Sequence, residues 1–265
     1  RPEKGLLAIR KSLGLYCNIR PIKYYEFLAD RKKKKKGLLE GLDIVICREL
    51  TGGAYFGERG HDENSAYDTI SYSRPEIERI VRDAFEMAKN RDRKILHSID
   101  KANVLDSSRL WRKVVNEIAA EYPEVELHHM YVDNAAMQLI VNPTQFDVIV
   151  TENMFGDILT DEASVITGSM GLLSSASVGV HTSLFEPIHG SYPQATGKDI
   201  ANPLATVLSA AMMFEYAFSD MEAGAAIRRA VDLSIEKNIV TEDIAPEGIT
   251  PHSTSEVGDF IAANI

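Results

Sequence analysis

The sequence predicts an α/β protein. Helical and strand-like patterns alternate from about residue 75 onward. Apolar residues fill 45% and charged residues 26% of 265 positions, ordinary globular proportions that allow a large core without disulfide staples. Acids recur where a strand-like run passes into a helical one, the end at which open α/β sheets collect ligands.

The elements follow in order. Leu6, Leu7 and Arg10 stand three and four residues apart, so they share one face of an opening helix. Arg31 to Lys36 is a run of like charges that repel and need water, which predicts an exposed turn. Asp43 to Cys47 reads as a strand. Ser73 and Glu76 have capping-box spacing, with Pro75 suited to a first turn, and Ile77, Ile80, Val81 and Phe85 carry the helix to Lys89. Ile95 to Ile99 is a strand. A helix from Ser107 to Tyr122 turns Leu110, Trp111, Val114, Val115 and Ile118 inward. A strand over 124–132 leads into a helix opened by Asp133. Phe146 to Val150 is a strand, Gly156 turns the chain, and a helix runs from Asp157 to Ile166. Residues 167–180 are rich in Gly, Ser and Thr, yet Met170, Leu172 and Leu173 want burial, so a packed crossover is expected. Asn202 and Pro203 resemble N-cap and N1 of a helix to Phe218, and a last helix runs from Met221 to Lys237.

Charge and cysteine usage narrow the function. The net charge is −10, which repels a phosphate backbone and argues against a nucleic-acid partner. No run approaches the roughly 18 apolar residues of a membrane span. No signal-peptide h-region opens the chain. Cys17 and Cys47 lack CxxC partners and read as buried thiols in a reducing, cytoplasmic setting.

Four features point towards chemistry. Asp157 and Asp161 are four apart on one helix face, where like charges repel unless a cation lies between them. Mg²⁺ or Mn²⁺ suits such oxygen donors, and Asp133 stands at a comparable junction. Spacing alone leaves open the plainer reading, one acid favouring the helix dipole and the other facing water. Lys101 directly follows a strand and can act as a base when partly desolvated, or be a surface lysine. Arg10, Arg20 and Arg48 are forks suited to carboxylates, although each alone can be an ion-pair partner. The loop from Glu186 to Gly197, rich in Gly and Pro, can offer backbone donors to a nucleotide. No GxGxxG follows a strand, so a Rossmann fold is not expected.

Several long motifs resemble the β-decarboxylating dehydrogenases of the isocitrate/isopropylmalate family. They are Arg1 to Arg10, Asn18 to Pro21, Arg48 to Gly57, Asp100 to Leu105, Tyr131 to Asp133, Phe155 to Asp161 and Phe185 to Ser191. The resemblance spans nearly the whole chain and implies a two-domain α/β fold with a cleft, not Rossmann. It implies an NAD-binding domain over 1–15 and 168–265 and a substrate and dimerisation domain over 16–167. Relatives carry further residues ahead of this stretch, so part of the first domain is expected to precede Arg1.

The resemblance also implies roles. Asp133, Asp157 and Asp161 match the family's Mg²⁺ or Mn²⁺ acids, Arg10, Arg20 and Arg48 its substrate arginines, and Tyr55 and Lys101 its catalytic pair. Glu186, His189, Gly190, Ser191 and Asn202 match the NAD-contacting loop, and Asn103 a residue near the nicotinamide. Gln194 stands where many NAD users have an acid, which weakens discrimination against NADP, and no cation replaces it. Lys101 and Asp133 reach a neighbouring subunit's site in this family, so a homodimer is implied. Leu6 and Leu7 favour an isopropyl branch over a third carboxylate, since burying such a group contributes about 1.5–3 kcal/mol. The implied reaction is NAD-dependent oxidative decarboxylation of (2R,3S)-3-isopropylmalate to 4-methyl-2-oxopentanoate, a step of leucine biosynthesis. The substrate would be a small 2-hydroxy dicarboxylate, with no nucleic acid and no membrane involved. The alternatives are a tartrate/D-malate-type dehydrogenase of the same family and a non-catalytic regulatory subunit.

Overall fold

The computed structural model describes residues 2–24, 39–167 and 170–265. The Arg31 to Lys36 run lies outside them. The α/β expectation holds, and the chain divides into two compact units.

The first unit holds residues 2–24, 39–166 and 177–183 among those described. Helix α1 (Pro2–Ser12) turns at Gly14, with φ of 62°, into strand β1 (Leu15–Lys23). Strands β2 (Asp43–Glu49), β5 (Ile95–Asp100), β6 (Glu126–Tyr131) and β7 (Val148–Thr151) join β1 in the order β6-β5-β7-β2-β1. The pairings β5 with β6, β5 with β7 and β2 with β7 are parallel, whereas β1 runs antiparallel to β2. A short ribbon, β3 (Arg59–His61) and β4 (Ala66–Asp68), lies apart from that sheet. The register sets Asp100 opposite Tyr131, Ile99 opposite Thr151, and Arg48 opposite both Thr151 and Asn18. One end of the sheet therefore gathers Asn18, Arg48, Thr151, Asp100 and Tyr131, with Lys101 just beyond.

Helices α2 (Arg74–Lys89) and α3 (Asp106–Ala119) bury most residues that the 3.6-residue period selected, Ile77, Ile80, Val81 and Phe85, then Trp111, Val114, Val115 and Ile118, while Leu110 is only half-buried. Glu76 closes the cap by accepting from the Ser73 N–H at 2.7 Å. A second cluster joins Ile44, Ile46, Ile99 and Ile149 to Leu139 of α4 (Val132–Val141) and Leu159 of α5 (Asn153–Thr167). Each such side chain contributes about 1.5–3 kcal/mol by leaving water.

Helix α5 starts a full turn before the expected Asp157, so Gly156 lies within it rather than turning the chain. Its missing side chain serves another purpose. A Cβ there would come within 2.5 Å of Arg48 Cγ, so only glycine lets the helix pass so close to that arginine.

The second unit holds residues 167, 170–176 and 184–265 among those described. Strand β9 (Ser183–Pro187) follows β8 (Ser174–Gly179) and leads to the Gly- and Pro-rich loop. Leu172 and Leu173 are buried as expected. They precede a helical layer of α6 (Leu204–Ala217), α7 (Met221–Glu236) and α8 (Thr254–Ala262). Leu172, Leu204, Leu208, Val231, Ile235, Val257 and Ile261 form one core cluster. Pro203, not Asn202, is the N-cap of α6, although the Asn202 side chain still accepts from the Leu204 N–H at 2.9 Å. The helix from Met221 is not the last. Helix α8 follows with its own capping box, Ser253 and Glu256.

Candidate active site

The sheet end of the first unit brings together Arg20, Arg48, Tyr55, Asp157 and Asp161. Arg48 is 2% exposed, and its Nε donates to the Asn153 carbonyl at 2.8 Å and its Nη2 to Asn153 Oδ1 at 2.9 Å. Its Nη1 pairs with Asp157 Oδ1. The Tyr55 hydroxyl donates to the other oxygen of Asp157 at 2.9 Å. Arg20 gives Nε to Asn18 Oδ1 at 2.7 Å and Nη1 to Thr160 Oγ1 at 2.5 Å, and it stands 3.6 Å from Asp161. Burial, then the neighbouring Arg48 charge, lowers the Arg20 pKa to about 10, which still leaves it charged at neutral pH. Burial and the Asp157 hydrogen bond push the Tyr55 hydroxyl up to about 12.

Tyr55 ends a single 3₁₀ turn, Gly53–Tyr55, whose Gly53 has φ of 72°. Glu49 fixes that turn from below, accepting from the N–H groups of Thr51 at 2.9 Å and Gly52 at 2.8 Å. Burial raises the Glu49 pKa against those hydrogen bonds. A second buried acid, Glu152, accepts from Tyr72 at 2.9 Å and from the Phe155 N–H at 2.6 Å. Tyr72 in turn accepts from the Asn153 N–H at 3.0 Å. Sequence reasoning missed Glu49, Glu152, Asn153 and Tyr72. The available signal was that Glu49 and Glu152 each border a strand end.

Lys101 and Asp133 form a separate pair. Lys101 Nζ lies 2.6 Å from Asp133 Oδ1, and this partner holds the exposed Asp133 carboxyl below its ordinary range. Among the described residues, no three His, Cys, Asp or Glu gather as metal ligands within the chain. Asp157 and Asp161 come together and Asp133 does not join them. Asn103 is exposed in the turn after Lys101. Leu6 and Leu7 are half-buried on α1, and Arg10 is buried on the same helix.

In the second unit, Glu186 lies on β9, and its carbonyl accepts from Ser175 Oγ at 2.8 Å. His189 turns Nδ1 to the Gly190 carbonyl at 3.0 Å, while its buried Nε2 has no hydrogen-bond partner among the described residues. Gly190 and Ser191 are exposed, as is Gln194 in a 3₁₀ turn over Pro193–Ala195. A Cβ at Gly190 would meet nothing within 4 Å. Asn202 is engaged on both sides, donating to Asp243 at 2.9 Å and accepting from the Leu204 N–H at 2.9 Å.

The chain matches the isocitrate/isopropylmalate dehydrogenase family model over residues 1–261. The chain belongs to the isocitrate/isopropylmalate dehydrogenase family. Within that family it is 58% identical over 261 residues to the 3-isopropylmalate dehydrogenase of Bacteroides fragilis (strain YCH46), covering 98% of this chain and 73% of that one. It is 54% identical over 272 residues to the 3-isopropylmalate dehydrogenase of Saccharophagus degradans, covering 100% and 76%. The crystal structure of isocitrate dehydrogenase from Methylococcus capsulatus superposes with a TM-score of 0.87 at 35% identity, over 97% of this chain and 75% of that one. Among the described residues, no helix is long and apolar enough to cross a membrane.

Proposed function

We infer that the chain is an NAD-dependent 3-isopropylmalate dehydrogenase that also uses Mg²⁺ or Mn²⁺. It oxidises and decarboxylates (2R,3S)-3-isopropylmalate to 4-methyl-2-oxopentanoate in leucine biosynthesis. One observation carries the reading: the Tyr55 hydroxyl and the Arg48 guanidinium converge on Asp157, one turn from Asp161 and Arg20.

The residues fit the groups they would hold. Asp157 and Asp161 present hard oxygen donors on one helix face, with Asp161 78% exposed, which suits Mg²⁺ or Mn²⁺. His189 Nε2, buried and without a partner among the described residues, and the open backbone at Gly190 suit NAD. Held by Asp157 and Asp161, the dication would supply Lewis-acid activation of the substrate hydroxyl, and NAD⁺ at the 186–191 loop would supply the hydride acceptor.

The remaining work belongs to this chain's own side chains. Arg10, Arg20 and Arg48 orient the malate carboxylates. Leu6 and Leu7 pack on the isopropyl branch. Lys101 accepts the proton of the C2 hydroxyl. Tyr55, kept protonated through the neutral range, supplies a proton to C3 after CO₂ leaves.

The site is completed in a homodimer, with Lys101 and Asp133 supplied by a second copy. Two observations support this. Asp133 does not join the other two acids within one chain. Helices α4 and α5 also expose Met137, Ile140, Val141 and Ile158, each more than half accessible. Two buried free thiols suit a cytoplasmic setting. Steady-state NADH formation with isopropylmalate, D-malate and isocitrate tests the assignment. Isopropylmalate should give by far the highest kcat/KM, and a preference for D-malate would move the chain to the tartrate/D-malate branch.

A further inference from the structure

Asp100 and Tyr131 face each other at the carboxyl ends of β5 and β6, and one guanidinium touches both. Arg112 of α3 grips Asp100 with two bonds, Nε to Oδ2 at 2.8 Å and Nη2 to Oδ1 at 2.9 Å. The same group lies 5.0 Å from the Tyr131 ring centroid. Asp100 is 1% exposed, and its Oδ1 also accepts from the Ala102 N–H at 2.9 Å. Ser108 Oγ accepts from the Lys101 N–H at 3.1 Å. Lys101 is therefore clamped through its own N–H and through both neighbouring residues. Asp133, its partner at 2.6 Å, follows Tyr131 by two residues.

We propose that Arg112 is a positioning residue for this reaction, setting Lys101 by locking the strand ends from which Lys101 and its partner Asp133 project. The proposal rests on the reading of Lys101 as the base. A lysine side chain has a long flexible stem, so its anchoring backbone decides where Nζ can reach. A planar fork satisfies both oxygens of a buried carboxylate, which an ammonium cannot do. Removing the fork leaves Asp100 buried and uncompensated beside Lys101.

The test compares full-chain Arg112→Met, Arg112→Lys and Lys101→Met, alone and combined, in steady-state assays with isopropylmalate and NAD⁺, alongside thermal melts. Lys101→Met should lower kcat by roughly 10²–10⁴-fold, as for loss of a general base. Arg112→Met should lower kcat by about 10–100-fold with the KM for NAD⁺ unchanged, as expected for a misplaced catalytic group. Arg112→Lys should recover only part of this, and it keeps the test open if the Met variant does not fold. In the Lys101→Met background the Arg112 substitution should cost little more. A lowered melting temperature with kcat retained, or an equal kcat loss in both backgrounds, overturns the proposal and makes Arg112 merely structural. Full turnover by Lys101→Met would overturn the reading itself, a result distinguishable from full turnover by Arg112→Met alone.

Discussion

Asp157 is a carboxylate with two donors already on it, Arg48 at one oxygen and Tyr55 at the other. Its charge is partly neutralised before any ligand arrives, whereas Asp161 keeps a largely exposed carboxyl. Asp157→Asn keeps the Tyr55 contact geometrically possible but removes the negative charge. The enzyme should then require far more Mn²⁺ for half-maximal rate, measured by titration into chelator-stripped protein. An unchanged requirement would remove Asp157 from the metal site. The proposed specificity role of Leu6 and Leu7, half-buried on the helix that carries Arg10, is testable by substitution. Leu6→Ser with Leu7→Asn should cost isopropylmalate about 1–3 kcal/mol in kcat/KM, the usual worth of small apolar groups in a pocket. D-malate, which has no branch, should lose much less. Equal losses for both substrates would make the leucines ordinary packing residues. The motifs singled out residues that the fold brings together in two groups, Tyr55 with Asp157 beside Asp161, and Lys101 with Asp133, but not the three acids in one place. Asn153, Glu49 and Glu152 were not legible in the sequence, because their importance comes from partners such as Arg48, Thr51 and Tyr72 that only the fold brings near.

At the scale of elements, legibility followed periodicity. Helices α2 and α3 have strongly one-sided patterns, and their buried faces agree with the sequence reading except at Leu110, which is only half-buried. Helix α5 was misjudged because glycine usually punctuates, while Gly156 is present for the close approach of Arg48. Helix α8 escaped although Ser253 and Glu256 carry a capping box, since its apolar face is short. The antiparallel entry of β1 into an otherwise parallel set left no local mark. Strand β5 also makes a pH prediction. His97 is 4% exposed, packed 4.7 Å from the Phe146 ring, and its Nδ1 has no hydrogen-bond partner among the described residues. Burial, with the nearby His128 and Arg93 charges, lowers its pKa from 6.5 to about 4. The folded state therefore binds this proton less readily than the unfolded state. The associated stability is present above pH 6.5 and is lost as pH falls towards 4. Its full size is about 3 kcal/mol at about 1.4 kcal/mol per pKa unit. His97→Leu should flatten the acid limb of melting temperature against pH over that window. An identical limb in the variant would assign the acid loss to other groups.

The whole molecule raises the question of how many chains make one site. In a single chain Asp157 and Asp161 lie together, while Lys101 pairs with Asp133. Ile158 stands between the two acids on α5 and is 58% exposed, and Ile140 on α4 is 59% exposed. An apolar surface beside these candidate metal-binding carboxylates is costly to leave in water, which supports the proposal that a second copy covers it. If a two-fold dimer builds each site from Asp157 of one chain and Lys101 of the other, inactive variants should rescue one another. Lys101→Met and Asp157→Asn homodimers are both defective at every site. In a mixed dimer, one site combines the intact Asp157 with the intact Lys101, and the other combines both lesions. Random exchange of equal amounts should then restore about a quarter of wild-type activity, because half the dimers are mixed and each holds one good site of two. Exchange is verified independently by differently tagged chains. A mixture that exchanges yet stays as inactive as its parents would place Lys101 and Asp157 in the same chain's site. Charged substitutions at Met137 and Ile140 complete the argument. They should lower activity in step with the dimer fraction measured by sedimentation, and activity that persists in a monomer would defeat the shared-site arrangement.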